Sequence, residues 1–257
     1  MKQEFERPFL PFARDVARIA LSPVLRSEII TEPGENGMFR FEGMILEGYG
    51  GVIILKHFSL KDPPQVIKDI VVSSDALIQR EVLAPNALHQ IYPGVRPFAR
   101  MLGVKIDPIV TKNTVTRAQE RGKAVIPELN EGSKEFVRDA VDYLKRGQLV
   151  VIAPEGERRN NLESYGNNSI GTLLGTARLA RANVALLTLD LRVAGVRAGY
   201  WDRSWPNLLA KYEVRIGRCL TGDEIISMAN GRLRDIDEKV ILPEMRRTAA
   251  IARLSRG

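Results

Sequence analysis

The sequence predicts an α/β protein with a mixed, mainly parallel central sheet flanked by helices. Short apolar runs recur at Val52–Leu55, Leu149–Ile152 and Val184–Leu191. Stretches with helical periodicity alternate with them. The runs are continuous and carry β-branched residues, as strands buried on both faces do, and their alternation with helices is the pattern of βα units.

Composition narrows the classes further. With 257 residues, 44% hydrophobic and 27% charged, the chain has the balance of a globular protein rather than a disordered one. A single cysteine, Cys219, excludes a disulfide framework and a cysteine-based zinc site. No stretch approaches the roughly 18 apolar residues of a membrane span. The opening Met1-Lys2-Gln3-Glu4, with Glu6 and Arg7, lacks the apolar core of a signal peptide, so a cytoplasmic location is expected. The net charge of +7 implies an anionic partner: nucleic acid, an anionic bilayer or a phosphorylated substrate. There is no long Lys/Arg block and no aromatic–basic ribonucleoprotein pattern, so no nucleic acid is expected.

Element by element, residues 9–20 read as an amphipathic helix. Phe9, Phe12, Ala13, Val16, Ile19 and Ala20 share one face, and Arg14 and Arg18 stand opposite. Residues 1–30 are therefore expected to form an N-terminal helical extension, and residues 31–257 one α/β domain. Two readings of that helix stay open. It lies in a membrane interface with Arg14 and Arg18 near phosphates, or its apolar face packs on the domain. Gly48-Tyr49-Gly50-Gly51 precedes a strand, the wrong context for a dinucleotide loop. Residues 135–146 are helical and stop at Gly147, and Leu173–Arg181 is helical. Tyr212–Ile216 alternates polar and apolar residues and predicts an edge or half-exposed strand; an amphipathic helical region follows from Asp223.

Ligands of open α/β sheets gather beyond the carboxyl ends of the strands, so the segments that follow the apolar runs are where chemistry is sought. Lys56-His57, then Asp62-Pro63-Pro64, follow the first run. A lone histidine at a strand end is more often structural than catalytic. Asp62 changes the balance, because it stands at a helix N-cap position before proline and can fold back on the imidazole. Such a carboxylate fixes the tautomer and stabilises the imidazolium, making a general base. No nucleophile accompanies it: Cys219 has no neighbouring histidine and no Gly-x-Ser-x-Gly occurs. The attacking group is then a hydroxyl of the substrate. The second run is followed by Pro154-Glu155-Gly156-Glu157-Arg158. This is either an exposed turn with a weak ion pair or a loop in which Gly156 admits a ligand and Arg158 clamps an anion.

Together, His57-(x4)-Asp62 and the Pro-Glu-Gly-x-Arg stretch ending at Arg158 resemble the glycerol-3-phosphate / 1-acylglycerol-3-phosphate acyltransferase family. The resemblance extends over roughly residues 40–220 and includes Gly175–Ala180 and Val214–Gly217. It implies an acyltransferase-like fold and transfer of a fatty acyl chain from a thioester, acyl-CoA or acyl carrier protein, to a hydroxyl of a lysophospholipid or glycerol-phosphate-type acceptor. His57 then deprotonates the acceptor, Asp62 orients His57, and Glu155, Gly156 and Arg158 bind the acceptor side. No metal or tightly bound cofactor is implied. Several positions depart from the family pattern: Lys56 stands where asparagine is usual and Glu157 where threonine is common. Pro108 takes the place of a phosphate-binding arginine, leaving Lys105 or Lys112 as substitutes, and Ala185–Thr188 lacks the prolines of a later block. The departures fall on the acceptor side.

The implied setting is phospholipid synthesis, peripheral at the inner face of an anionic membrane. Trp201 and Trp205 fit core packing better than an interface, and His89, without a carboxylate nearby, reads as structural. A non-catalytic module of the same fold, binding anionic lipid or nucleic acid through a basic surface, is the competing reading.

Overall fold

The structure is a computed structural model that describes residues 10–21, 26–32, 36–56, 66–87, 95–109, 129–153, 169–193 and 211–251. Its strands are β1 (Ser27–Thr31), β2 (Gly50–Lys56), β3 (Val82–Ala87), β4 (Val104–Ile109), β5 (Leu149–Ile152), β6 (Val184–Val193) and β7 (Tyr212–Thr221). They form one sheet of seven strands in the order β1-β7-β6-β2-β5-β3-β4. Only the β6–β7 pair is antiparallel. The mixed, mostly parallel α/β architecture read from the sequence is therefore present. The expected boundary at residue 30 falls inside β1.

Helices cover both faces. One face carries α4 (Leu129–Lys145), α5 (Ser169–Leu179), α6 (Gly222–Met228) and α7 (Leu242–Ala250), and we call it the four-helix face. Val52, Ile54, Val150, Ile152, Val184 and Leu186 point into it and meet Leu144, Leu173, Ile225 and Met245. The opposite, N-terminal face carries α1 (Leu10–Leu21), α2 (Gly37–Leu46) and a wide helical turn at Ile67–Val71, while α3 (Val95–Met101) leads into β4. There Ile53, Leu55, Val151, Leu187 and Leu189 pack on Phe41, Ile45, Ile70 and Val71. Successive side chains of a strand point to opposite faces, which is why one unbroken apolar run serves two cores. Each such fully buried aliphatic or aromatic side chain contributes about 1.5–3 kcal/mol.

Local chemistry explains the element ends. α4 closes where Gly147 takes φ +67°, and the Gly147 and Gln148 amides bond back to Leu144 and Tyr143. α6 opens with Thr221 and Glu224, each side chain accepting the other's backbone N–H in a capping box. Pro85 and Pro108 lie in strands without breaking the sheet. β3 pairs with β5 only at Val82 and Leu83, before Pro85, and β4 is an edge strand.

Two sequence expectations are corrected. β7 is not an edge or half-exposed strand: it lies between β1 and β6 and is buried along most of its length. Glu213 and Arg215 pair with each other within the strand, and Arg218 pairs with Glu244 of α7. The second correction concerns α1. It spans Leu10–Leu21, and its Arg14 faces inward and is fully buried. Its Nε donates to the Leu102 carbonyl at 2.9 Å, Nη2 to Arg80 at 2.7 Å, and Nη1 to Leu77 at 3.3 Å and also to Ile78. Burial pulls this guanidinium down to about 10, against a smaller opposing pull from Glu81. Arg14 is thus held by four carbonyls and does not reach toward lipid phosphates. Phe12, Val16 and Ile19 face outward instead.

Candidate active site

β2 is the centre of the site because it is parallel to both of its neighbours. Ile53 and Ile54 are level with Val151 and Ile152 of β5 and with Leu187 and Thr188 of β6. All three strands therefore deliver their carboxyl ends to one edge of the sheet, with adjacent strands about 4.8 Å apart. β2 closes at Lys56, level with Asp190 of β6, and β5 closes at Ile152. His57 and Asp62 follow Lys56 in the chain; Glu155, Gly156 and Arg158 follow Ala153. These five residues and Lys112 lie outside the described residues. The structure thus brings together the two strand ends from which the motifs continue, one strand apart.

On the four-helix face this edge carries a buried ionic network that the sequence reading missed. Asp190 is 1% exposed and lies level with Arg215 of β7. Arg192 donates from Nε to Asp190 Oδ2 at 2.5 Å and from Nη2 to the Ala249 carbonyl at 2.7 Å. Arg215 donates to Glu213 at 2.9 Å and to the same Ala249 carbonyl at 2.9 Å. Two guanidiniums at the last turn of α7 complement its unsatisfied carbonyls and its negative dipole end. Among the described residues the network sets two carboxylates against two guanidiniums and fixes the strand ends. Its sequence signal was available: charges two residues apart on both strands, Asp190/Arg192 and Glu213/Arg215, put complementary groups on one face.

A second polar group flanks the edge on the N-terminal face. Ser27 begins β1 level with Tyr212, which in turn is level with Val193 at the end of β6. Ser27 Oγ donates to Asp69 at 2.8 Å, and Lys68 Nζ donates to Asp69 at 2.7 Å and to Ser27 Oγ at 3.2 Å. The wide helical turn at Ile67–Val71 is thereby tied to β1, near the far end of the sheet. The helix that follows the Glu155–Arg158 segment is also fixed. Asp237 accepts from the Ile170 and Gly171 amides at 3.1 and 2.7 Å and from Ser169 Oγ at 3.2 Å, capping α5. Burial pushes the Asp237 carboxyl above the usual range, and the amide bonds act against it.

Lys105 is not brought to this edge. Through Leu83 and Val150 it is level with Val52, toward the amino ends of the strands, and β4 lies three strands, about 14 Å, from β2. Its Nζ is 2.5 Å from Asp139 and 3.2 Å from Asp107. Burial alone would lower the ammonium, but these two carboxylates carry it above its ordinary value. It serves an ion-pair cluster of its own. Cys219 is buried, and burial pushes its thiol up to about 12, far from a thiolate nucleophile at neutral pH. Among the described residues no group of three His, Cys, Asp or Glu side chains could hold a metal ion. No protein-family model matches the chain, and no curated protein matches it.

Proposed function

We propose that the protein is an O-acyltransferase that moves a fatty acyl chain from acyl-CoA or acyl carrier protein to a hydroxyl of a lysophospholipid or glycerol-phosphate-type acceptor. The observation that supports the reading is the parallel pairing of β2 with β5, which brings side by side the two strand ends after which His57-x4-Asp62 and Glu155-Gly156-x-Arg158 follow in the chain. In this mechanism His57 takes the proton as the acceptor oxygen attacks the thioester carbonyl. The C–S bond breaks, the ester C–O bond forms, and the imidazolium returns its proton to the departing thiolate. Asp62 holds the ring and stabilises its charged form. Arg158 binds the acceptor's phosphate, and Gly156 lets the backbone approach it. The fixed charges of Asp190, Arg192, Glu213 and Arg215 support this edge from below without entering the chemistry.

The test is transfer of a radiolabelled acyl chain from acyl-CoA and from acyl carrier protein to a panel of lysolipids and glycerol-3-phosphate. His57→Ala should lower the rate roughly 10²–10⁴-fold while the protein stays folded. Undiminished transfer in the variant overturns the mechanism. Silence of the wild-type protein across the panel and both donors favours a binding module of the same architecture.

A further inference from the structure

We propose that the outer side of β1 is a dimerisation surface, on which β1 of a second copy pairs antiparallel across a two-fold axis at Ile29. The inference uses neither motif of the acyl-transfer reading and holds or fails without it.

The outer side of the strand is defined by the hydrogen bonds of its inner side. β1 ends the sheet, and its strand neighbour is β7. The Tyr212 amide donates to the Arg26 carbonyl at 2.7 Å, and the register sets Ser27 level with Tyr212, Ile29 with Val214 and Thr31 with Ile216. In a parallel ladder so registered, Arg26, Glu28 and Ile30 turn their bonding groups toward β7. Ser27, Ile29 and Thr31 therefore turn their N–H and C=O groups outward, a row that can template another strand. The other flank of the sheet is blunted, because β4 carries Lys105 and also Pro108, which has no N–H to offer. β1 has neither proline nor glycine, and its one charged residue, Glu28, is engaged by Lys211 at 2.7 Å.

The segment from Arg26 to Glu32 is complementary to itself. With the axis at Ile29, Ser27 stands opposite the partner's Thr31, and Ile29 opposite the partner's Ile29. Every outward N–H and C=O of the three residues then finds a mate. Ile29, 50% exposed, would be covered by its own counterpart, and the two hydroxyl residues would form a favourable cross-strand pair. Glu28 faces the partner's Ile30, so no like charges are directly opposed. At each end Arg26 stands opposite the partner's Glu32. Arg26 is exposed and makes no ion pair among the described residues. Glu32 is held by Arg247 at 3.0 Å, and a carboxylate has room for a second donor. Opposite charges across an antiparallel pair attract, and the two-fold axis makes this pair twice. That symmetric match of charge and register commits the surface to a second copy of this chain. Strands of the two copies run in opposite directions, so the two carboxyl edges face away from each other.

The experiment is sedimentation velocity of the full chain from micromolar to sub-millimolar concentration, at about 0.15 M salt to screen the repulsion between two copies of net charge +7. Wild type should reach a dimer. Ile29→Pro removes an outward N–H and spares the ladder to β7, and Arg26→Glu sets two acids opposite each other at both ends. Each should weaken association roughly tenfold or more. Arg26→Glu should keep the wild-type circular dichroism spectrum, since Arg26 is exposed. Glu32→Arg alone should also weaken the dimer, yet an equimolar mixture of Arg26→Glu with Glu32→Arg should associate, because only the mixed pair has opposite charges at both ends. A wild type that stays monomeric throughout overturns the proposal. So does a dimer indifferent to Ile29→Pro and Arg26→Glu, or a mixture that fails to recover what the single variants lose.

Discussion

The two faces of the sheet are covered by helices that treat water differently. On the four-helix face, α4 turns Lys134, Glu135, Arg138 and Asp142 outward and buries Ala140, Val141, Tyr143 and Leu144. Its exposed large apolar residues, Leu179, Met228 and Leu233, sit at helix ends and turns. On the N-terminal face, α1 shows Phe12, Val16 and Ile19 to solvent, and α2 shows Phe39 and Leu46. The first face is organised as a scaffold that closes the fold. The second is only half a layer by hydropathy, and a cation occupies the place an apolar side chain would ordinarily take. The lesson is that burial and polarity part company where backbone carbonyls can satisfy a charge.

Substitutions can break this contrast or sharpen it. The largest effect is expected at Gly217, in the irregular part of the β6–β7 pairing beneath α7. A side chain there would stand 2.1 Å from Thr248 Oγ1 and 2.4 Å from Thr188 Oγ1, which hydrogen-bond each other at 2.8 Å. Gly217→Val should therefore cost at least about 3 kcal/mol in a denaturant titration, the signature of an overpacked scaffold. A neutral result would mean the four-helix face is looser than its contacts suggest.

Arg14→Met is next. It takes the guanidinium donors away from four inward carbonyls, of which Leu77 keeps the Arg80 amide, and should cost about 2 kcal/mol. Unfolding in urea measures it, and an unchanged or raised stability would show that these carbonyl contacts do not hold α1 to the domain.

The smallest effect is electrostatic and concerns the capping box of α6. Burial would raise the Glu224 carboxyl, but the Thr221 amide and the Arg40 guanidinium, 2.7 Å away, hold it below its usual value. A depressed carboxylate stabilises the fold above the usual carboxylate range and loses that contribution as pH falls through its folded value. Wild type should thus lose slightly more thermal stability on acidification than Glu224→Gln, by no more than a few tenths of a kcal/mol at so exposed a pair. Parallel curves for the two proteins would remove this contribution from the account.

The same physics decides what was legible in the sequence. β2, β5 and β6 are readable because a strand buried on both faces is apolar nearly throughout: Val52–Leu55 and Leu149–Ile152 are wholly so, and Val184–Leu191 is interrupted only by Thr188 and Asp190. Ser27–Thr31 and Val104–Ile109 are short sheet-edge strands with charges and, in the second, a proline, so they leave no such run. Glu213 and Arg215 made β7 read as half-exposed, since hydropathy counts each charge singly, whereas the two pair with each other and Arg215 also stands 3.7 Å from Asp190 of β6. Arg14 misled for the same reason: its partners are backbone carbonyls, which carry no residue signature. The motifs at His57 and Arg158 were legible as patterns, and the pairing of β2 with β5 adds that the strands they follow end side by side.

Acyl transfer by wild type and His57→Ala, each offered lysolipid and glycerol-phosphate acceptors with acyl-CoA and with acyl carrier protein, is the most direct test of a catalytic carboxyl edge. Wild type should transfer, and His57→Ala should be slower by roughly 10²–10⁴-fold at unchanged stability. Full transfer by His57→Ala would contradict a general base after β2.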